Sequence, residues 1–135
     1  MAILLGIDYG RARIGLAISR ADLAEPLLVI NNDLDPSQKQ AIIGPQAWQQ
    51  LLNIIKDEAV EQIVLGVSEQ QMAEFSLALA ELLQKKQAVP VTTIDETLSS
   101  VEAKAKLQDL PSHKRRGPID HYAAAIILEN YLEVC

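Results

Sequence analysis

Apolar positions along this chain switch between two periods, and the switches mark its elements. Ala2 to Ile7 and Ile14 to Ile18 are short apolar runs separated by Asp8-Tyr9-Gly10-Arg11-Ala12-Arg13. Bounded in this way, with Gly10 able to supply a positive φ, they predict a β-hairpin. Leu27-Leu28-Val29-Ile30 predicts a third strand, and the polar stretch Asn31 to Ser37 carries the Asn, Asp and Pro chemistry of a loop. From Pro45 the residues Trp48, Leu51, Leu52, Ile54, Ile55 and Ala59 recur every three or four positions, which is one face of a helix. Gln62 to Val67 predicts a strand, about Met72 to Lys86 a second amphipathic helix, and Pro90 to Ile94 another strand. Ser99 or Ser100 can cap a short helix. Leu110 to Gly117 is polar and basic, and Pro118 precedes an Ala-rich closing helix over Ile119 to Leu132.

Helices alternate with strands only after an antiparallel start, so the pattern predicts a mixed central β-sheet covered by helices, a single α/β domain over residues 1–135. Composition agrees, since 49% hydrophobic residues against 22% charged ones can fill one core. The formal charge of −6 excludes a global positive field, so any nucleic acid must be met by a local patch. The single cysteine, Cys135, excludes an internal disulfide and a CxxC metal site, which fits a reducing, cytoplasmic compartment. No apolar run approaches the roughly 18 residues of a membrane span, and no signal peptide is evident, so no membrane partner is expected.

Candidate chemistry lies at predicted element ends. Asp8 closes the first strand, Asp95-Glu96 follow the strand ending at Ile94, and Asp120 falls in the first turn of the closing helix. Each has an ordinary explanation. Asp8 can hydrogen-bond amides of its own turn, and acids near a helix N-terminus gain about 0.3–1 kcal/mol from the dipole. Because strand side chains alternate, only one of Asp95 and Glu96 can share a face with Asp8. Should Asp8, Glu96 and Asp120 converge, carboxylates about 5 Å apart would repel by roughly 3 kcal/mol at an effective dielectric of about 20. Such a cluster calls for a cation, and hard oxygen ligands select Mg²⁺ or Mn²⁺, as one or two ions, for phosphodiester cleavage. Arg11 and Arg13 on the turn after Asp8, and Lys114, Arg115 and Arg116 before Asp120, are candidates to hold phosphates, with a solvated loop as the bland alternative. No P-loop, GxGxxG or G-x-S-x-G frame is present.

The stretch Gly6-Ile7-Asp8-Tyr9-Gly10-Arg11-Ala12-Arg13-Ile14-Gly15-Leu16-Ala17 resembles the opening motif of the YqgF/RuvX family of pre-16S ribosomal RNA nucleases and Holliday junction resolvase-like proteins. Asp95 to Ala103 is similar to that family's strand-end acidic motif, and Ile119 to Leu128 to its closing helix. The resemblance implies an RNase H-like fold with helices on both faces of the sheet, and a cytoplasmic nuclease maturing the 5′ end of pre-16S rRNA. It also implies a divalent-metal site on Asp8, Glu96 and Asp120. Its expected partners are nucleic acids, structured precursor rRNA or branched DNA, with the chain acting as monomer or homodimer. Two departures stand out. Thr97 occupies a place where the family usually has Arg, and the loop after Val67 is shortened, with Glu69 either adding an acid or beginning the next helix. Two other classes compete with the nuclease: a binding module that contacts rRNA without cutting, and an actin-type ATP-binding domain, whose two-domain cleft this length does not accommodate.

Overall fold

The computed structural model describes residues 2–21, 23–67, 71–87, 89–95 and 120–134. Its elements are β1 (Leu4–Asp8), β2 (Arg13–Ser19), β3 (Ala24–Asn31), α1 (Pro45–Asp57), β4 (Gln62–Val67), α2 (Gln71–Gln87), β5 (Val91–Asp95) and α3 (Asp120–Val134). The strands form one sheet in the order β3-β2-β1-β4-β5. β1, β2 and β3 pair antiparallel, whereas β4 lies parallel to β1 and β5 parallel to β4. The expected short helix from Ser99 or Ser100, the basic segment, Glu69 and Glu96 lie outside the described residues. Among the described residues, no helix is long and apolar enough to cross a membrane.

Helices cover both faces, and strand alternation decides which side chains each face receives. Leu5, Ile7 and Tyr9 of β1 and the turn after it, with Ile63 and Leu65 of β4, meet Leu51 and Ile55 of α1 and Leu79 and Leu83 of α2. On the opposite face Leu4, Ala17 and Val64 meet Ala124, Ile127 and Leu128 of α3. Being central, β1 is covered on both sides, which is why its sequence is a nearly unbroken apolar run.

Small residues, Gly6 and Ala17 on the sheet and Ala124 on α3, let the helix approach closely at Gly6. A Cβ added at Gly6 would lie 2.6 Å from Leu128 Cγ and 2.9 Å from the Ala124 carbonyl oxygen. The direction of α3 follows from two contacts. Tyr131 near its end meets Gln62, the first residue of β4, with Gln62 Nε2 donating to the phenol oxygen at 2.8 Å. Ala124 and Leu128, earlier in the helix, meet Gly6 further along β1. The helix therefore runs against β1, and its first residue, Asp120, comes at the end of the sheet where β1, β4 and β5 finish.

Three expectations need correction. β3 is longer than Leu27–Ile30, because an edge strand tolerates Glu25, Pro26 and Asn31, and Pro26 sits beside an irregularity at Leu16/Ala17. No described glycine has a positive φ, so Gly10 does not supply one. Gly10 is required instead because a side chain there would collide with the Arg13 carbonyl. Ala59 does not belong to the α1 face, since it lies past the helix end with φ of 52°. The Val60 N–H bonds the Ile55 carbonyl at 3.0 Å and the Ala59 N–H that of Lys56 at 3.1 Å, a Schellman ending with alanine where glycine is usual.

Candidate active site

Asp8 is the last residue of β1 and is half-buried. It pairs with Gly15 on β2 and with Gly66 on β4, and Gly66 in turn pairs with Ile94 on β5. Residues paired in register share a face, with Cβ atoms about 4.5–5.5 Å apart. Asp8 is thus flanked on both neighbouring strands by positions with no side chain, on the same face as α3. The sheet fixes the backbone of Asp8, and its in-register neighbours on β2 and β4 carry no side chain.

The same register separates Asp95 from Asp8. Val67 pairs with Asp95, one step beyond the Gly66–Ile94 pair, and Ile94 packs with the α3-side cluster. Asp95 therefore falls on the α1 and α2 side and is exposed. Asp120 begins α3 at the Asp8 end of the sheet. Glu96 lies outside the described residues, as do Lys114, Arg115 and Arg116. Among the described residues no group of three His, Cys, Asp or Glu side chains is arranged to hold a metal ion.

The turn after Asp8 is clamped by a loop whose role the local pattern does not reveal. Asn32, 6% exposed, donates from Nδ2 to the Gly10 carbonyl at 3.0 Å and accepts the Gly44 N–H at 2.9 Å. Its own N–H bonds the Ala12 carbonyl at 2.9 Å. Tyr9, 4% exposed, donates its hydroxyl to the Ile42 carbonyl. Arg11 donates to the carbonyls of Ala41 and, at 3.2 Å, Lys39, while its Cζ lies 4.2 Å above the centre of the Phe75 ring. Arg13, at the start of β2, is exposed.

Asp33 then anchors α1. The helix has Gly44 at its N-cap and no capping side chain of its own. Asp33 accepts the N–H of Ala47 at 2.8 Å and of Gln46 at 3.0 Å. Donation from Ala47 above all, joined by Gln46, holds the Asp33 carboxyl below its ordinary value against the opposing effect of desolvation. Gly44 is obligatory here, because a side chain would strike the Asp33 backbone and carboxylate. The signal for both residues was the run Asn31-Asn32-Asp33 directly after a strand, which reads only as turn chemistry until the fold brings it to α1.

Comparison with known proteins decides the family. The family model described as "RuvX: Holliday junction resolvase" matches residues 2–134. The chain belongs to the RuvX family. Among its RuvX relatives, proteins named "Putative pre-16S rRNA nuclease" are 34% identical in Chlamydia trachomatis serovar D, over 96% of this chain and 90% of that one. The corresponding protein of Anaeromyxobacter sp. is 35% identical, over 96% and 95%. Among solved structures, Thermus thermophilus RuvC in complex with a Holliday junction substrate matches with a TM-score of 0.64 at 17% identity, covering 99% of this chain and 95% of that one. The fowlpox virus Holliday junction resolvase matches at 0.56 and 10%, over 98% of each. The RuvX chain thus has the RNase H-like fold of these resolvases, with its five-stranded mixed sheet and helices on both faces.

Proposed function

We propose that this chain is a metal-dependent nuclease that hydrolyses phosphodiester bonds in maturing the 5′ end of pre-16S rRNA, acting in the cytoplasm. The observation that carries the reading is the position of Asp8. It ends a central strand between two glycines, on the face where α3 begins. Family membership and relatives named for pre-16S rRNA support the substrate.

The donor set fits a hard divalent cation. Asp8 offers a half-buried carboxylate held by a sheet, and Glu96 and Asp120 complete an all-oxygen set of the kind Mg²⁺ or Mn²⁺ takes. When bound, one or two such ions supply an activated water and charge stabilisation at the leaving oxygen. The chain's own residues do the rest. β1 fixes the backbone of Asp8 at the end of a central strand, and Gly15 and Gly66 add no side chain beside it. Arg13, with Lys114, Arg115 and Arg116, supplies local positive charge in a chain of net charge −6. Screening within about 8 Å at physiological salt lets such a patch act against that total.

A second reading is favoured by one finding, that the solved structures with this fold include a RuvC bound to a Holliday junction. The deciding experiment incubates the protein with a labelled precursor-rRNA fragment or a four-way DNA junction, in Mg²⁺ or Mn²⁺ and in EDTA. Metal-dependent cutting of the rRNA fragment is expected. Cutting of the junction alone transfers the assignment to a resolvase, and metal binding without cutting of either points to an rRNA-binding module. Replacing Arg115 and Arg116 with Ala should weaken binding and reduce the slope of affinity against salt by about 1.4, at roughly 0.7 for each single-strand phosphate left without its cation.

A further inference from the structure

Arg11 stands three positions after Asp8, but the structure does not leave it as an ordinary phosphate ligand. Its Nη1 donates to the Ala41 carbonyl and, at 3.4 Å, to the Tyr9 hydroxyl, and its Nη2 donates to the Lys39 carbonyl at 3.2 Å. The fork of N–H groups that would grip a phosphate is directed into the loop around residues 39–41. The guanidinium also lies against an aromatic ring. Its Cζ lies 4.2 Å from the centre of the ring of Phe75, the only phenylalanine in the chain, and Phe75 stacks in turn on buried Tyr9 with ring centres 6.4 Å apart and planes 15° from parallel. Arg11 and Phe75 are both partly exposed. Phe75 therefore supports a flat cation at the surface, held in orientation by three carbonyl or hydroxyl acceptors.

We propose that Arg11, laid on Phe75, is a stacking subsite for an unpaired nucleobase of the substrate strand. A guanidinium plane is a sequence-tolerant platform, since every base has a π-face. The inference rests on the nuclease reading and narrows its substrate. A base inside a duplex has both faces covered, so a base on Arg11 belongs to a single-stranded stretch. Arg11 follows Asp8 by three residues, at most about 10 Å of chain, and lies on the α2 side of the sheet end while Asp8 faces α3, so a strand that reaches both passes around that end. The scarcity of aromatics in this chain does not oppose the idea, because the platform is a stacked cation and needs one ring beneath it.

The test is run in EDTA, where no cutting occurs. The probe is a twelve-nucleotide oligoadenylate carrying one 2-aminopurine, free or annealed to its complement, added to wild type, Arg11→Lys and Phe75→Leu. Lysine keeps the charge and loses the plane, and leucine keeps apolar volume and leaves the Arg11 hydrogen bonds in place. Wild type should quench the probe on binding the single strand. Both variants should lose the quenching and bind the single strand roughly tenfold more weakly, with duplex affinity much less changed. A role confined to holding the loop would spare the single-strand affinity of Phe75→Leu, and that result overturns the proposal. So does wild type that binds single and double strands without quenching. Cleavage in Mg²⁺ by wild type, together with unchanged binding by both variants, would keep the nuclease and remove the subsite. Quenching without any cleavage would do the reverse.

Discussion

Gly6→Ala is the substitution that most sharply probes how α3 is seated. The new methyl carbon would lie 2.6 Å from Leu128 Cγ, 3.1 Å from Leu128 Cδ1 and 2.9 Å from the Ala124 carbonyl oxygen. Carbon atoms rest at about 3.5–4.0 Å, so the helix must retreat by about 1 Å. Neither neighbour yields easily, for Cγ is close to the Leu128 backbone and the Ala124 oxygen is backbone itself. Overpacking of this kind costs about 1–3 kcal/mol, of which about 0.4–1 is offset by the reduced freedom of the unfolded chain. A net loss of about 1–2 kcal/mol is expected from urea unfolding with an unchanged m-value. Leu128→Ala removes two of the three clashes and by itself should cost about 2–5 kcal/mol, since Leu128 is 0% exposed. The double variant should be less destabilised than the two single losses added, by about 1–2 kcal/mol. If the losses add within about 0.5 kcal/mol, Gly6 is not the seat of α3 and the reasoning is refuted. The same retreat displaces the start of α3 from Asp8, and misplacement by about 1 Å lowers turnover on the order of a hundredfold, so Gly6→Ala should lose cleavage while still folding.

Three further outcomes follow from the geometry. Ala59→Gly relieves the left-handed backbone at the end of α1 and should raise stability by about 0.5–1 kcal/mol in thermal melts, because the αL cost to alanine exceeds the added freedom of glycine when unfolded. The Asp33 carboxyl has a folded value below 3.8, so its support of α1 is complete above that pH and is lost as pH falls through the folded value. Asp33→Asn should therefore be less stable than wild type at pH 7, with the gap in urea midpoints narrowing as the pH falls below 3.8. Gly66→Val places a branched side chain beside Asp8 in β4, where valine suits a strand, and should lower cleavage at least about tenfold while the melting transition stays cooperative.

Much of this architecture was legible in the chain because the signals are local. The Gln62 to Val67 strand and the Trp48, Leu51 and Ile55 stripe declare themselves by period, and the short apolar runs around Asp8 and Gly15 can form only a hairpin across a short polar turn. The misreadings share one cause, which is that tertiary contacts set the outcome. Gly10 is small because Arg13 folds back on it, and β3 extends through Pro26 because, among the described residues, it is an edge strand paired on one side with β2. Asp33 caps a helix that begins well beyond any local capping window, so no N-terminal signature precedes Pro45. Asp8 stood out as a candidate from its place before a glycine turn. Its two glycine neighbours became meaningful only with the register, because Gly66 is remote in sequence.

The central claim is that Asp8 holds the catalytic metal and contributes little to the fold. Asp8→Asn keeps the size and removes the charge, so Mn²⁺-dependent cleavage of the precursor-rRNA fragment and the thermal unfolding midpoint are to be measured on wild type and this variant together. The account predicts that cleavage is abolished and the midpoint stays within a few degrees. Cleavage by Asp8→Asn at the wild-type rate would contradict it.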